Sequence, residues 1–196
     1  MFLKLKNPFR PFSEDQRGSL SVEAVLILPI LFWAICATYT FFHAFKVQNA
    51  ANRANYTISD ILSRETDLVN ADYINGLHNL YEYMSRNRDG GTWIRVSVVT
   101  CRTRCDKENR QLVMEWSQAT GSATAYGSSD IGSLEQYIPQ LPKGDSLTMV
   151  ETSSDYEPMF QGIVPNFGSR KLVSQSVTRP RFTQQLVWDD GSGGSV

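Results

Sequence analysis

A glutamate at the start of a long apolar segment is the residue whose type and position most need a chemical explanation. Glu23 lies five residues after Gly18, and the apolar run that follows it extends from Ala24 to Phe42. A charge at the edge of a bilayer is costly, so a carboxylate there usually has a partner or a task. If the chain is cut after Gly18, the new amino terminus at Ser19 is an ammonium group, and Glu23 could pair with that group on a neighbouring subunit. Alternatively, Glu23 lies in the first helical turn, where the macrodipole favours an anion, and has no further role.

The cysteines are the second set of residues with chemical potential. Three cysteines are too few for a disulfide framework, and Cys36 lies inside the apolar run. Cys101 and Cys105 form a C-x₃-C pair that lacks the second pair of ligands of a zinc site. On the outer side of a membrane these two thiols could form a local disulfide, which would fix the tip of a hairpin.

Other signatures of catalysis or ligand binding are missing from the sequence. His43 and His78 are far apart and have no Cys or carboxylate neighbour at ligand spacing, so we expect no metal site. There is no nucleophile elbow, phosphate loop or paired-carboxylate pattern, and we expect neither an enzyme nor a cofactor. The net charge is −1 with scattered Lys and Arg, which argues against a nucleic-acid partner.

The apolar run itself predicts a membrane-spanning helix, since a helix needs roughly 20 apolar residues to cross the hydrocarbon core. Residues 1–17 carry four basic side chains, and excess Lys and Arg beside a membrane segment tends to stay in the cytoplasm. A cleaved secretory signal is the competing interpretation, with Ala34-Ile35-Cys36 as its cleavage site. The run continues past that site through Phe45, beyond the roughly 7–15 residues of a signal's apolar region, which favours an uncleaved anchor.

The helical pattern continues beyond the membrane segment. Apolar residues recur at spacings of three and four and form one stripe: Val47, Ala50, Ala51, Ala54, Ile58, Ile61 and Leu62. We assign the opposite face to the polar residues Lys46, Gln48, Asn49, Asn52, Arg53, Asn55 and Asp60. The pattern predicts one continuous helix from about Leu20 to Ser63, and a break near His43 is the alternative.

The rest of the chain predicts a small domain. A second amphipathic helix is expected from a cap at Thr66-Asp67 to a stop at residues 87–91. Alternating residues then predict strands at residues 93–100, 111–119 and 146–152, with weaker candidates at 172–177 and 182–188, a charged hairpin loop at 101–110 and one helical turn at 133–138.

These elements predict an α+β fold in which a long amino-terminal transmembrane and stalk helix precedes a small domain with a second helix and an antiparallel sheet. The predicted boundaries are a basic cytoplasmic leader (1–18), a transmembrane helix (19–45), a helical stalk (46–66), an extracytoplasmic domain (67–190) and a disordered tail (191–196).

The amino-terminal sequence resembles a known family. The stretch RGSLSVEAVLILP, residues 17–29, is similar to the signature of TadE/TadG-like proteins, which are pseudopilin-type components of tight-adherence (Flp-type) pilus assembly systems in bacteria. Residues 49–54, NAANRA, are similar to the alanine-rich continuation in that family, and residues 150–160 and 179–181 are more loosely similar to its carboxy-terminal motifs.

The resemblance implies a function and a set of partners. It implies a minor pilin or structural assembly component, single-pass in the bacterial inner membrane with a periplasmic domain, which contacts lipid, other pilus subunits and inner-membrane assembly proteins. A prepilin peptidase would cut after Gly18, release Ser19 as the mature terminus and leave Glu23 as the assembly carboxylate. Ala24 stands where processed pilins of this system often have an aromatic residue, and some members of the wider family are not cut, so an uncleaved chain remains open.

Two other functional classes remain open. One is a single-pass envelope-anchored protein whose outer domain binds a partner or ligand without entering a filament. The other is a secreted enzyme released by signal peptidase. The mature amino terminus separates the three possibilities. It would be Ser19 for the pilus component, Met1 for the envelope anchor and Ala37 for the secreted enzyme.

Overall fold

The computed structural model describes residues 19–86, 91–107, 110–160, 162–164 and 168–191. In chain order the elements are α1 (Ser19–Arg64), α2 (Ala71–Ser85), β1 (Trp93–Thr103), β2 (Gln111–Ala119), the short helix α3 (Ile131–Leu134), β3 (Ser146–Tyr156) and β4 (Arg170–Thr178). Two 3₁₀ turns, Ser128–Asp130 and Glu135–Tyr137, flank α3. The predicted α+β class, with a long first helix, a second helix and an antiparallel sheet, is confirmed.

The chain forms two compact units. The first contains the described part of α1 through His43 together with residues of the segment Pro158–Gly168. The second contains Ala44–Glu157 and the described residues from Ser169 onward, and it holds α2 and all four strands. The predicted disordered tail and the leader lie outside the described residues, apart from Gly191.

The first helix is continuous over 46 residues, from Ser19 to Arg64. It passes through Pro29 without ending, and the alternative break near His43 does not occur. Proline lacks one backbone donor, and a helix can accommodate that loss by local adjustment. The prediction of one helix from about Leu20 to Ser63 was therefore right to within one residue at each end.

The sheet has the order β2-β1-β3-β4, and every neighbouring pair is antiparallel. Successive side chains of a strand point to opposite faces, so the sheet contributes to two separate cores. One face packs against α1 and α2 through the buried side chains Ile94, Val96, Val98 and Val150. The other face packs against the α3 region through Val99, Cys101, Met114, Leu147 and Met149.

The predicted apolar stripe of α1 faces the first of these cores. Ala54, Ile58 and Leu62 are fully buried in that core, and Ala51 is fully buried one turn earlier on the helix. The assignment of Asn55 to the polar, outward face was wrong, because this side chain is only 1% exposed. Its amide nitrogen donates to Thr152 Oγ1 at 3.0 Å and to the carbonyl oxygens of Ser174 at 3.2 Å and Val150 at 3.3 Å.

The second helix begins later than predicted. Its cap is Asn70, whose side-chain oxygen accepts a hydrogen bond from the Tyr73 amide at 2.9 Å. The predicted cap at Thr66-Asp67 was wrong, because the Glu65 carboxylate already accepts from both of those backbone amides. The hydrogen bond from the Tyr73 hydroxyl, followed by that from the Asp67 amide, lowers the pKa of Glu65. The turn after α1 is thus held by one carboxylate.

Two strand predictions also differ from the structure. β1 extends to Thr103, so Cys101 lies in the strand and the connecting loop is shorter than expected. Residues 182–188 form no ladder with the sheet; Trp188 instead makes an isolated bridge with Val69, and Leu186 is buried beside the helices. The Trp116 indole donates to the Leu186 carbonyl at 2.9 Å, which holds this segment in place.

Burial on α1 gives a stability prediction with a matched control. Leu62→Ala removes a fully buried side chain and should lower the free energy of unfolding by about 2–5 kcal/mol. Leu68→Ala makes the same chemical change at a residue that is 56% exposed, and should change it by less than about 0.5 kcal/mol. Denaturant unfolding of the full chain in detergent, followed by tryptophan fluorescence, measures both. Equal losses in the two variants would show that the α1 stripe does not stabilise the second unit.

Candidate functional site

The amino-terminal half of α1 exposes a dense set of large apolar side chains. Twelve of them are between 47% and 72% exposed, an arrangement that water disfavours: Val22, Val25, Leu26, Ile27, Leu28, Ile30, Leu31, Phe32, Trp33, Ile35, Phe41 and Phe42. By length and composition this helix could cross a membrane. No other helix among the described residues meets the same criteria.

Glu23 lies among these apolar side chains as the fifth residue of α1. It is exposed, and within the described residues no cation forms an ion pair with it. The expectation that Glu23 occupies the first helical turn was wrong, since that turn contains no acidic residue. The macrodipole effect falls off within the first turn, so it gives Glu23 less stabilisation than expected.

The residues predicted for processing are placed only in part. Gly18 lies outside the described residues, so its role stays a prediction. Ser19 is the first residue of α1. Glu23 is therefore one helical turn from the end of the described helix, and the sequence places the basic leader immediately before that end.

Cys101 and Cys105 form a disulfide with a Cα–Cα distance of 5.8 Å. Both cysteines are buried and pack with Met114, Leu134 and Leu147 in the core of the second sheet face. The expected local disulfide is therefore present, and it joins β1 to the turn that leads into β2, its antiparallel partner. Only the expected solvated setting was wrong, because both cysteines lie inside a core. Cys36 is a buried free thiol.

A charge pair on the sheet, with both side chains largely buried, was not predicted from the sequence. Arg95 on β1 and Glu151 on β3 are directly opposite each other, with Nε and Oε2 2.8 Å apart. The Arg95 guanidinium also donates to the Tyr126 hydroxyl at 2.6 Å, and its centre lies 3.6 Å from the Tyr126 ring centroid. Burial, and then the nearby Glu151 charge, raise the pKa of Tyr126. The alternating pattern of the sequence placed Arg95 on one face of a strand. It could not identify Glu151 as the partner, because that residue lies 56 positions later on another strand.

A second polar cluster joins α2 to the start of β1. Thr92 donates to Glu82 Oε1 at 2.7 Å, and its hydroxyl lies 3.0 Å from His78 Nε2. Glu82 itself is 3.6 Å from His78, one helical turn away, so the expectation that His78 has no nearby carboxylate was wrong. Thr92 is 2% exposed, and its two contacts link α2 to the start of β1. Among the described residues, no three His, Cys, Asp or Glu side chains converge as metal ligands.

The Arg95–Glu151 pair gives a second prediction. Glu151→Ala removes the carboxylate partner of the Arg95 guanidinium, which is only 13% exposed, and should cost about 3 kcal/mol of unfolding free energy. The cost stays at the lower end for a broken buried pair, because Arg95 keeps its bonds to the Tyr126 hydroxyl and the Thr124 carbonyl. The double variant Arg95→Met/Glu151→Leu removes both charges and should recover most of that loss. Denaturant unfolding of the two variants tests this. If the double variant were as unstable as Glu151→Ala, packing and not charge would account for the effect.

Comparisons with known proteins found no match that bears on the function of this chain. The chain matches no protein-family model, and comparisons with curated proteins and with solved structures give no significant similarity. The features that bear on function are therefore the apolar half of α1, the exposed carboxylate of Glu23 within it and the folded unit attached to the same helix.

Proposed function

We propose that this chain is a minor pilin or structural assembly component of a tight-adherence (Flp-type) pilus, anchored in the bacterial inner membrane. The observation that carries the proposal is a single helix with two different environments. Its first half exposes apolar side chains, and its second half packs into the folded unit. A subunit of this design can be held in lipid and transferred into a filament core without refolding its outer domain.

Glu23 supports a role in assembly more than one in anchoring alone. An anchor needs only apolar side chains, whereas this exposed carboxylate lies one turn into an apolar helix and has no cationic partner among the described residues. In low dielectric, an ammonium group at a processed Ser19 of a neighbouring subunit would compensate the charge. Such a pair would also fix the register between adjacent helices.

The proposed orientation follows from the charges next to the apolar run. The leader carries Lys4, Lys6, Arg10 and Arg17, which favour a cytoplasmic amino terminus. The folded unit would then be periplasmic, a compartment in which a disulfide such as Cys101–Cys105 persists. The prepilin peptidase that would cut after Gly18 acts, on this proposal, at the cytoplasmic face.

The mature amino terminus tests the proposal directly. We expect the protein purified from membranes of its native host to begin at Ser19, as determined by intact mass and amino-terminal peptide sequencing. A Gly18→Leu variant should keep the leader, because the peptidase would no longer recognise the site. A wild-type chain that begins at Met1 would instead indicate an envelope anchor, and one that begins at Ala37 would indicate a secreted protein.

A substitution at Glu23 tests the assembly role. Glu23→Ala should leave the chain in the membrane fraction but abolish its co-purification with other pilus subunits, because the partner ammonium loses its counter-charge. Glu115→Ala, which removes an exposed carboxylate from β2, is the matched control and should co-purify normally. Unchanged co-purification and unchanged piliation of the Glu23 variant would contradict the pairing role.

A further inference from the structure

We propose that a loop between β3 and β4 is a second membrane-embedded element, which lies beside α1 in the half of the bilayer farther from Glu23. The loop carries Met159, Phe160, Ile163 and Val164, and is called the Phe160 loop below. The inference rests on the proposed membrane span of α1. The lipid, and not a protein, is the proposed occupant of the surface around this loop.

Two contacts attach the Phe160 loop to α1. The Trp33 indole donates to the Ile163 carbonyl oxygen at 2.9 Å. The Tyr39 and Phe160 rings meet edge to face, with centroids 5.7 Å apart and planes at 73°. The loop and this part of α1 belong to the same compact unit. The depth of the loop is therefore fixed by the depth of Trp33 and Tyr39.

The length of the apolar helix determines that depth. From Val22 to His43 the helix is about 32 Å long at about 1.5 Å per residue, close to the hydrocarbon thickness of about 30 Å. Trp33 lies about 16 Å from Val22 and Tyr39 about 26 Å from it. No charged residue occurs between Glu23 and Lys46, so no shorter segment is marked as the span. A bilayer that covers this helix necessarily includes the Phe160 loop.

The chemistry of the loop suits acyl chains. The described residues of this loop, 158–160, 162–164 and 168, carry no charged or polar side chain. Met159 is 69% exposed and Ile163 is 40% exposed, while Val164 is buried. The exposed side chains continue the apolar surface formed by α1, so one lipid environment would cover both.

Irregular backbone is costly in hydrocarbon unless its polar groups are satisfied within the protein. One hydrogen bond satisfies two polar groups at this depth, the indole N–H of Trp33 near mid-span and the backbone carbonyl of Ile163. The Ile163 amide donates in turn to the Phe160 carbonyl at 3.3 Å. The tight turn and the tryptophan therefore lower the cost of placing this segment in lipid.

Fluorescence quenching in proteoliposomes tests the proposal on the full-length chain. In a Cys36→Ala background, single variants Met159→Cys and Ile163→Cys are labelled with an environment-sensitive fluorophore. Leu26→Cys on the exposed face of α1 reports the span, and Tyr83→Cys on α2 reports an aqueous position. Two quenchers are compared in phosphatidylethanolamine/phosphatidylglycerol vesicles, a nitroxide on the lipid acyl chain and aqueous iodide. Unchanged tryptophan emission confirms that each variant is folded.

We expect the labels at Met159 and Ile163 to lose emission to the acyl-chain nitroxide as strongly as the label at Leu26, and to resist iodide. Quenching of the Leu26 label by nitroxide, with iodide quenching at both loop positions, would overturn this inference and leave the membrane span intact. Protection of the loop labels from both quenchers would also overturn it, because a second protein copy would then cover the loop. Iodide quenching at Leu26 as well would overturn the span itself.

Discussion

The packing of α1 residues 51–62 on the sheet is the interaction on which the architecture depends. The helix uses small and branched apolar side chains for close contact, and it places two polar side chains at the centre of that contact. Asn55 donates to groups on β3 and β4, and the Ser59 hydroxyl hydrogen bonds with that of Ser176. Ser174 Oγ donates to Asn52 Oδ1 at 2.6 Å, one turn earlier on the helix. Since a buried polar group is costly when it loses its partner, these bonds allow one register of helix on sheet and penalise others.

The apolar periodicity of the sequence predicted most of the fold. It predicted the extent of α1, the core stripe with Ile58 and Leu62, and the sheet strands, because periods of 3.6 and 2 follow directly from helix and strand geometry. It misplaced Asn55, because an asparagine between apolar residues looks solvent-facing unless its acceptors on distant strands are known. The cap at Asn70 was missed for a related reason: the carboxylate of Glu65 takes the two amides that a cap at Thr66-Asp67 would have used.

Some residues of the candidate site follow from a local sequence pattern, and others depend on contacts between distant parts of the chain. The spacing of Gly18 and Glu23 before an apolar run is a local pattern, so the sequence alone was enough to propose its role. The pairing of Arg95 with Glu151 and the contact of Trp33 with the Ile163 carbonyl join residues that are 56 and 130 positions apart. No periodicity encodes such contacts. They depend on the strand register and on the path of the chain after β3.

One helix has two environments, and on the proposed function Glu23 is the group that distinguishes an assembly helix from a plain anchor. Site-specific photo-cross-linking at Val22, which is exposed next to Glu23, measures this most directly. With a benzophenone amino acid at that position in host membranes, irradiation should give a covalent adduct whose second component is identified by mass spectrometry as a pilus subunit. The adduct should disappear when Glu23 is replaced by alanine. Adducts with lipid alone, unchanged by that replacement, would contradict the assembly role of Glu23.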